Sequence, residues 1–392
     1  MKGSGILPAV SVLKTPSYDP SVLARAVDSH FAFLNLDSLI EPSMKIVIKP
    51  NLIMRRAPEE GVTTHPALVA AIVKKLRSLG CQNILIAESG GGPYTEPLLR
   101  SLYKGCGYTA MAEETGVPLN YGTGSREVEG EGRITRRFTV IDPIAEADLV
   151  INVCKLKTHG MTMMSAAVKN LFGAVPGLMK PELHMRYPEK EEFCRMILDL
   201  NAAIPNVISF VDAVVGLEGD GPTGGTPKEV GLTLCSADRY ALDLVNAAVL
   251  GMKPAEIIML RQSIEDGLCP ADLSQITLLG DVPADALCAA GPFQPPRSKQ
   301  TDFTSHFPAF LRPTVKKVTK LIQPKPVIRK KDCIGCGKCA ESCPAHTIRI
   351  ENRIAVIDRT ACIHCFCCQE FCPAGTLHAV RPWTARILTK KK

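Results

Sequence analysis

The sequence predicts two unlike domains in one chain. Residues 1–290 read as an α/β domain built on a layered, largely parallel sheet, and residues 328–382 as a small α+β domain. Three observations carry this. Short apolar runs alternate with segments that are apolar at helical spacing up to about residue 285. Nine of the sixteen cysteines fall in the last sixty residues. Between the two lies Gly291-Pro-Phe-Gln-Pro-Pro-Arg-Ser-Lys, whose glycine and prolines mark a semi-rigid linker over residues 291–327.

Taken in order, residues 8–13 suggest a first strand, and residues 20–35 have the apolar spacing of a helix. Lys45-Ile-Val-Ile-Lys49 is an apolar strand ended by Pro50. His65-Pro66 opens a helix from Ala67 to Leu79 that Gly80 closes. Residues 83–87 form the next strand, and helical segments follow near 96–105 and 107–115. Strands are expected at 147–153, 206–211 and 230–235, with helices at 191–203, 238–251 and 254–266.

Ligands of open α/β sheets bind beyond the carboxyl ends of the strands. Polar and glycine-rich residues collect there in this chain. Lys49 and Asn51 follow one strand, and Glu88-Ser-Gly90-Gly91-Gly92 follows another. Lys155, Lys157 and His159 are expected in a loop after a third, with Lys169 and Asn170 at the start of a helix. Such a group makes an anion pocket for a phosphate or carboxylate, or else a solvated basic loop. Asp212, Glu218 and Asp220 follow a fourth strand; with Glu88 they suit a metal held by oxygen ligands, an acid/base pair, or a tight turn. The triple glycine is a weak phosphate-loop signal, because it lacks the Lys-Ser/Thr of a nucleotide loop. His65 is equally suited to capping and to the pocket, and His184 is a weaker candidate.

The cysteine-rich end reads Cys333-x2-Cys336-x2-Cys339-x3-Cys343-Pro344 and repeats as Cys362-x2-Cys365-x2-Cys368-x3-Cys372-Pro373. This spacing holds cubane iron–sulfur clusters, the fourth cysteine of each run serving the cluster of the other. Two [4Fe-4S] clusters are therefore expected, one on Cys333, Cys336, Cys339 and Cys372, the other on Cys362, Cys365, Cys368 and Cys343. Cys367 falls outside the register, and His364 would tune a cluster through its surroundings. Zinc sites use paired C-x2-C knuckles instead, and disulfides need an oxidising compartment. Residues 347–351 and 354–358 flank Asn352-Arg353 as a hairpin over the clusters.

This end resembles the two-cluster bacterial-type ferredoxin domain. The larger part, with Lys49-Pro-Asn51, Thr64-His65-Pro66, Glu88-Ser-Gly-Gly-Gly, Lys155-Leu-Lys157-Thr-His159, Val168-Lys169-Asn170-Leu-Phe-Gly173 and Glu218-Gly-Asp220-Gly-Pro222, resembles domain-of-unknown-function family 362 over roughly residues 8–285. The resemblance implies a cluster-bearing architecture and brings no settled reaction.

Composition bounds the function. Apolar residues make up 46% and charged residues 22%, as in ordinary globular proteins. Aromatic content of 5%, with one tryptophan, leaves little to stack nucleic-acid bases. The formal charge is +7, and residues 297–331 hold ten Lys/Arg against Asp302; this excess offsets the negative clusters and does not imply a nucleic-acid partner. A basic amphipathic helix is expected at 313–323, docked on the larger domain or else touching a membrane surface. Cys81, Cys106, Cys154, Cys194, Cys235, Cys269 and Cys288 read as reduced core cysteines. The N-terminus has no h-region, and no apolar run reaches transmembrane length, so the expected place is the cytoplasm. The expected function is an iron–sulfur oxidoreductase that takes electrons from a redox partner protein to a small anionic ligand. The alternatives are an electron carrier or docking protein without its own chemistry, and a metal or cluster maturation factor.

Overall fold

Strands with apolar side chains on both faces must be covered on both faces, and that requirement sets the architecture. The computed structural model describes residues 7–297 and 325–380. In chain order the elements are β1 (Ala9–Lys14), α1 (Pro20–Leu34), β2 (Ile46–Lys49), α2 (Pro66–Ser78), β3 (Ile84–Ile86), α3 (Glu96–Gly105), α4 (Tyr108–Thr115), β4 (Ser125–Glu129), β5 (Arg137–Ile141), α5 (Asp142–Ala145), β6 (Leu149–His159), β7 (Met163–Ser165), α6 (Ala167–Asn170), α7 (Met179–Arg186), α8 (Lys190–Ala202), β8 (Val207–Glu218), β9 (Thr226–Ser236), α9 (Arg239–Leu250), α10 (Ile258–Glu265) and β10 (Thr277–Gly280). After the linker come β11 (Lys325–Ile328), α11 (Lys338–Glu341), β12 (Ile348–Glu351), β13 (Ile354–Ile357), α12 (Cys367–Glu370) and β14 (Leu377–Val380).

The main sheet has the order β10-β1-β9-β8-β6-β2-β3, with β7 paired to the far end of β6. The pairs β10–β1, β8–β6, β6–β2 and β2–β3 are parallel. The pairs β1–β9, β9–β8 and β6–β7 are antiparallel. The fold is thus a mostly parallel mixed α/β sheet. One face, with Ile48, Ile86, Ile151 and Phe210, packs under α1–α4. The other, with Val47, Val150 and Cys154, packs against α8 and α9. Helix starts follow their caps: the Asp19 side chain accepts the Ser21 N–H of α1 at 2.8 Å, and the His65 side chain accepts the Ala67 N–H of α2 at 3.2 Å.

In the small domain β11 pairs with β14, and β12 with β13, both antiparallel. The β12–β13 turn residues Asn352 and Arg353 are both left-handed, at φ 48° and 62°, the backbone a two-residue hairpin needs. Cys339, Cys343, Cys368 and Cys372 form its core with Ile348, Ala355 and Leu377.

The structure corrects the sequence reading in several places. β6 does not end at Val153: Lys155, Lys157 and His159 sit on the strand and not in a loop. β8 likewise runs through Asp212 to Glu218, and β9 starts at Thr226. These strands outlast their apolar runs because buried polar partners replace the apolar neighbours. The hairpin β4–β5 and the strands β7, β10, β11 and β14 went unread. The expected helix at 313–323 lies outside the described residues.

Candidate functional site

The carboxyl ends of β2, β3 and β6 meet the loop before α7 around a cavity of about 590 Å³, mouth included. Lys49, Asn51, Gly90, Gly91, His159, Lys169 and Asn170 all line it, as do Glu88 and His184. Its floor is an ion pair: Lys49 Nζ lies 2.9 Å from Glu88 Oε2, with side chains 0% and 3% exposed. The Glu88 carboxylate also accepts the N–H groups of Leu52 at 3.3 Å and Ser89 at 2.8 Å. Backbone can pass this close to the pair because residue 173 is glycine: a Cβ there would stand 2.6 Å from both Glu88 Oε1 and Lys49 Nζ.

A chain of amides crosses the floor. Asn51 Nδ2 donates to Asn170 Oδ1 at 2.8 Å, and Asn170 Nδ2 donates to Asn152 Oδ1 at 2.8 Å. Lys157 does not line the cavity; its ammonium donates to Asn51 Oδ1 and braces that chain from below. Every member of the chain is buried, and a satisfied buried network of this kind fixes its side chains in one arrangement.

His159 ends β6. Its Nδ1 accepts the N–H groups of Met161 at 3.1 Å and Thr162 at 3.4 Å, so the neutral ring carries its proton on Nε2. Burial, reinforced by the Lys169 ammonium, holds this imidazole well below its ordinary pKa. Lys169 stands over the Phe172 ring, 4.5 Å from its centroid. His184 stacks on Phe193 at 4.1 Å and meets Phe172 edge-on at 5.8 Å. Burial, then Lys169, pushes its pKa down to about 3.

Lys180, Ser89, Ser165, Pro222 and Phe371 also line the cavity and were missed in the sequence. Lys180 Nζ donates to Ser89 O at 2.6 Å, Ser89 Oγ at 2.9 Å and Gly90 O at 3.2 Å, latching the glycine loop to α7. Burial lowers its pKa to about 7, against the pull of Glu88. Two N–H groups of the glycine loop are spent inside the protein: that of Gly91 donates to Ile53 O at 2.7 Å and that of Ser89 to Glu88 Oε1 at 2.8 Å. Gly91 has another use. A Cβ on Gly91 would lie 1.8 Å from the Phe371 ring, so the ring of the cysteine-rich domain seats directly on residue 91. A signal for Phe371 was present: the first repeat has Ala-Glu-Ser between its third and fourth cysteines, and the second has Gln-Glu-Phe.

Lys155, by contrast, does not line the cavity. Its ammonium sits 3.0 Å from Asp212 Oδ2, both side chains 0% exposed, and donates to Tyr18 Oη at 2.8 Å. The Tyr18 hydroxyl and the His65 N–H donate to Asp212, and the His65 ring stacks on Tyr18 at 3.8 Å, which settles His65 as a capping residue. Glu218 and Asp220 also stay outside the cavity: Glu218 lies 3.5 Å from the Lys228 ammonium, and Asp220 3.5 Å from Arg297. The four carboxylates thus go to four different cations, and among the described residues no three His, Cys, Asp or Glu converge on an ion-sized point. The oxygen-ligand metal site, one of the readings these carboxylates allow, is not assembled among the described residues.

The cysteines partition as their spacing implies. Cys333, Cys336, Cys339 and Cys372 line one cleft of about 300 Å³, mouth included; Cys343, Cys362, Cys365 and Cys368 line another of about 310 Å³, mouth included. Thiolates of a cubane each face a different iron, which is why four of them surround a space and do not meet at a point. The two halves repeat in detail: Thr347 N–H donates to Cys343 Sγ, and Thr376 N–H to Cys372 Sγ, each at 3.3 Å. Such N–H donors to sulfur raise cluster potentials. The donor set and the two cavities fit the clusters.

Comparison with known families agrees. Residues 46–248 match the domain of unknown function DUF362, and residues 325–373 match a 4Fe-4S dicluster domain. The chain belongs to the DUF362 family. A thylakoid-associated protein of Synechocystis sp. is 30% identical over 269 residues, which cover 67% of this chain and 80% of that one. Among solved structures, the lactate racemase apoprotein from Thermoanaerobacterium thermosaccharolyticum aligns with 59% of this chain at TM-score 0.38 and 14% identity, and the chain spans 55% of that protein. This DUF362 protein binds iron–sulfur clusters through its C-terminal domain. No helix among its described residues is long and apolar enough to cross a membrane.

Proposed function

We propose that this DUF362 protein is an oxidoreductase that carries electrons through two [4Fe-4S] clusters to a small anion held in the α/β cavity. One observation carries the reading: the lining that holds Lys49, Lys169 and Lys180 also includes Phe371, the residue next to the cluster ligand Cys372. An electron carrier needs the small domain alone; a carrier has no use for a cationic cavity walled by its own cluster-binding segment. Bound cubanes would supply one-electron transfer. The chain supplies the rest. Lys169 and the amide chain hold the anion, which displaces water from the cavity, and Phe371 closes the distance between the domains. The small domain also offers exposed Cys336 and Ile334, the latter 58% exposed, as the place where a redox partner protein delivers electrons. Buried cysteines free of disulfides support a reducing, cytoplasmic setting.

Anaerobic protein should hold about eight irons and eight sulfides; Cys336→Ser should lose about half, and Cys367→Ser none. Zinc in place of iron, or a full load in Cys336→Ser, contradicts the assignment. For the enzyme reading, dithionite-reduced protein is mixed under argon with a deproteinised cell extract. Wild type should be reoxidised while an organic anion is consumed. Gly91→Val, whose side chain displaces Phe371, should keep its iron and be reoxidised far more slowly. Equal reoxidation of the two proteins would mean a carrier working from its outer edge.

A further inference from the structure

We propose that the Cys336 face of the small domain is the dock for a small acidic one-electron carrier protein, which feeds the cluster held by Cys333, Cys336, Cys339 and Cys372. The inference deepens the reading above by naming the partner, and it rests on that reading for the direction of flow. One electron leaves the partner's reduced centre, which is oxidised, and reduces this cluster; no bond or proton moves.

The two cysteine repeats share a spacing and differ in what they show to solvent. Ile334 is 58% exposed and Cys336 is exposed, whereas their counterparts Ile363 and Cys365 are half-buried. Lys338 is exposed, and its counterpart Cys367 is buried. The second repeat turns inward and carries Phe371 against Gly91. The first leaves a cluster ligand at the surface. Electron transfer by tunnelling weakens steeply with distance, so an exposed ligand marks the place of entry.

Charge divides the same way. Residues 329–353 hold six Lys/Arg against three Asp/Glu, and residues 354–380 hold one against two. Neutralising the clusters does not account for this, because two cubanes with four thiolates each carry the same charge. Arg329 is spent on Asp332 at 3.5 Å and Arg349 on Glu351 at 2.5 Å. Lys330, Lys331, Lys338 and Arg353 are exposed and form no ion pair among the described residues, with Glu341 the remaining acid of the stretch.

These cations surround the exposed ligand. Lys330 and Lys331 lead into Cys333, and Lys338 lies between Cys336 and Cys339. A Cβ on Gly335 would stand 2.7 Å from Arg353 O, so the cluster loop rests on the β12–β13 turn and has Arg353 beside it. Ile334 and Ile350, the latter 37% exposed, line the same cleft as Cys336. An apolar centre within a charged rim is the layout of a protein contact, and a basic rim draws in an acidic partner and speeds the encounter at low salt. A lipid surface offers matching charge but brings no electron.

The test titrates isotope-labelled copper(I) plastocyanin, an acidic carrier, with the oxidised, cluster-loaded full chain, so that no electron moves and chemical shifts read binding alone. Stopped flow then follows oxidation of the reduced chain by copper(II) plastocyanin and by basic cytochrome c, since electrons cross one contact in either direction. Wild type should bind plastocyanin, at least tenfold more weakly at high salt, and react faster with it than with cytochrome c. The triple variant Lys330→Glu, Lys331→Glu, Lys338→Glu should keep its iron, bind plastocyanin at least tenfold more weakly and reverse the preference. Arg359→Glu, an exposed change on the other repeat, should alter neither. No binding by wild type, binding indifferent to salt or to the triple variant, or equal loss in Arg359→Glu overturns the proposal. Phosphatidylserine vesicles bound by wild type and released by the triple variant, with plastocyanin binding intact, overturn it in favour of a membrane surface. None of these results touches the exit of electrons past Phe371, so extract-driven reoxidation decides the oxidoreductase reading separately.

Discussion

Two buried lysine–carboxylate pairs stand on the same sheet, and they differ in what surrounds them. Lys155–Asp212 and Lys49–Glu88 have nearly equal separations, 3.0 Å and 2.9 Å, and nearly equal burial. Lys155–Asp212 is sealed by Tyr18 and His65. Lys49–Glu88 forms the floor of a cavity, with the bare Gly173 backbone against it. The first is a structural pair and the second belongs to a site, and the residue types alone do not tell them apart.

The largest expected effect exploits that difference. Lys155→Met leaves Asp212 sealed from water with only the Tyr18 hydroxyl and the His65 N–H as donors, and should cost about 3–5 kcal/mol of stability, the usual penalty for breaking a buried ion pair. Lys49→Met leaves Glu88 with two backbone N–H donors and a cavity that admits water, and should cost only about 1–3 kcal/mol. Urea unfolding of both variants decides it. Equal losses would mean that the cavity floor is as sealed as the structural pair, and the distinction between them would fall.

The same comparison explains what was legible in the sequence. The α/β class followed from Ile46–Lys49, Ile84–Ile86 and their like, because apolar runs between helical segments have few alternatives. The cluster ligands followed from spacing alone, since each thiolate's place is fixed by its motif. Lys155, Lys157, His159 and Lys169 read as one pocket with Lys49 and Asn51 because they lie near strand ends, and the cavity contains all of these but Lys155 and Lys157. Lys155 misled for a physical reason. It was read as loop, whereas β6 continues past it, and on a strand residues two apart share a side. That side passes from the sealed pair at Lys155, through the brace at Lys157, to the cavity at His159, so three polar residues of one motif serve three ends. Lys180 had no periodicity to mark it, and Phe371 only its departure from the first cysteine repeat; their roles exist because distant segments meet there.

A smaller effect separates the imidazoles of the site from ordinary surface histidines. Burial lowers the His184 pKa from 6.5 to about 3. The fold therefore holds the neutral ring, and its contribution to stability is full above pH 6.5 and declines as pH falls toward 3. His30, buried between Ser11 and Thr233 and likewise lowered to about 3, behaves in the same sense. His184→Phe should flatten part of the loss of stability between pH 6.5 and pH 4 in urea titrations and leave the share of His30. An unchanged slope would show that His184 is charged, or solvated, in the native cavity.

The central claim is that the cluster domain and the cationic cavity meet at Phe371, so that a ligand in the cavity lies beside a cluster. Fluorine electron–nuclear double resonance on the reduced, cluster-loaded protein with bound trifluoroacetate, a small anion, measures this directly, with binding verified by titration of the same sample. A resolved dipolar coupling between the fluorine and the cluster spin, lost when Lys169→Met abolishes binding, is the predicted result. A fully bound ligand whose fluorine shows no coupling to either cluster would contradict the account.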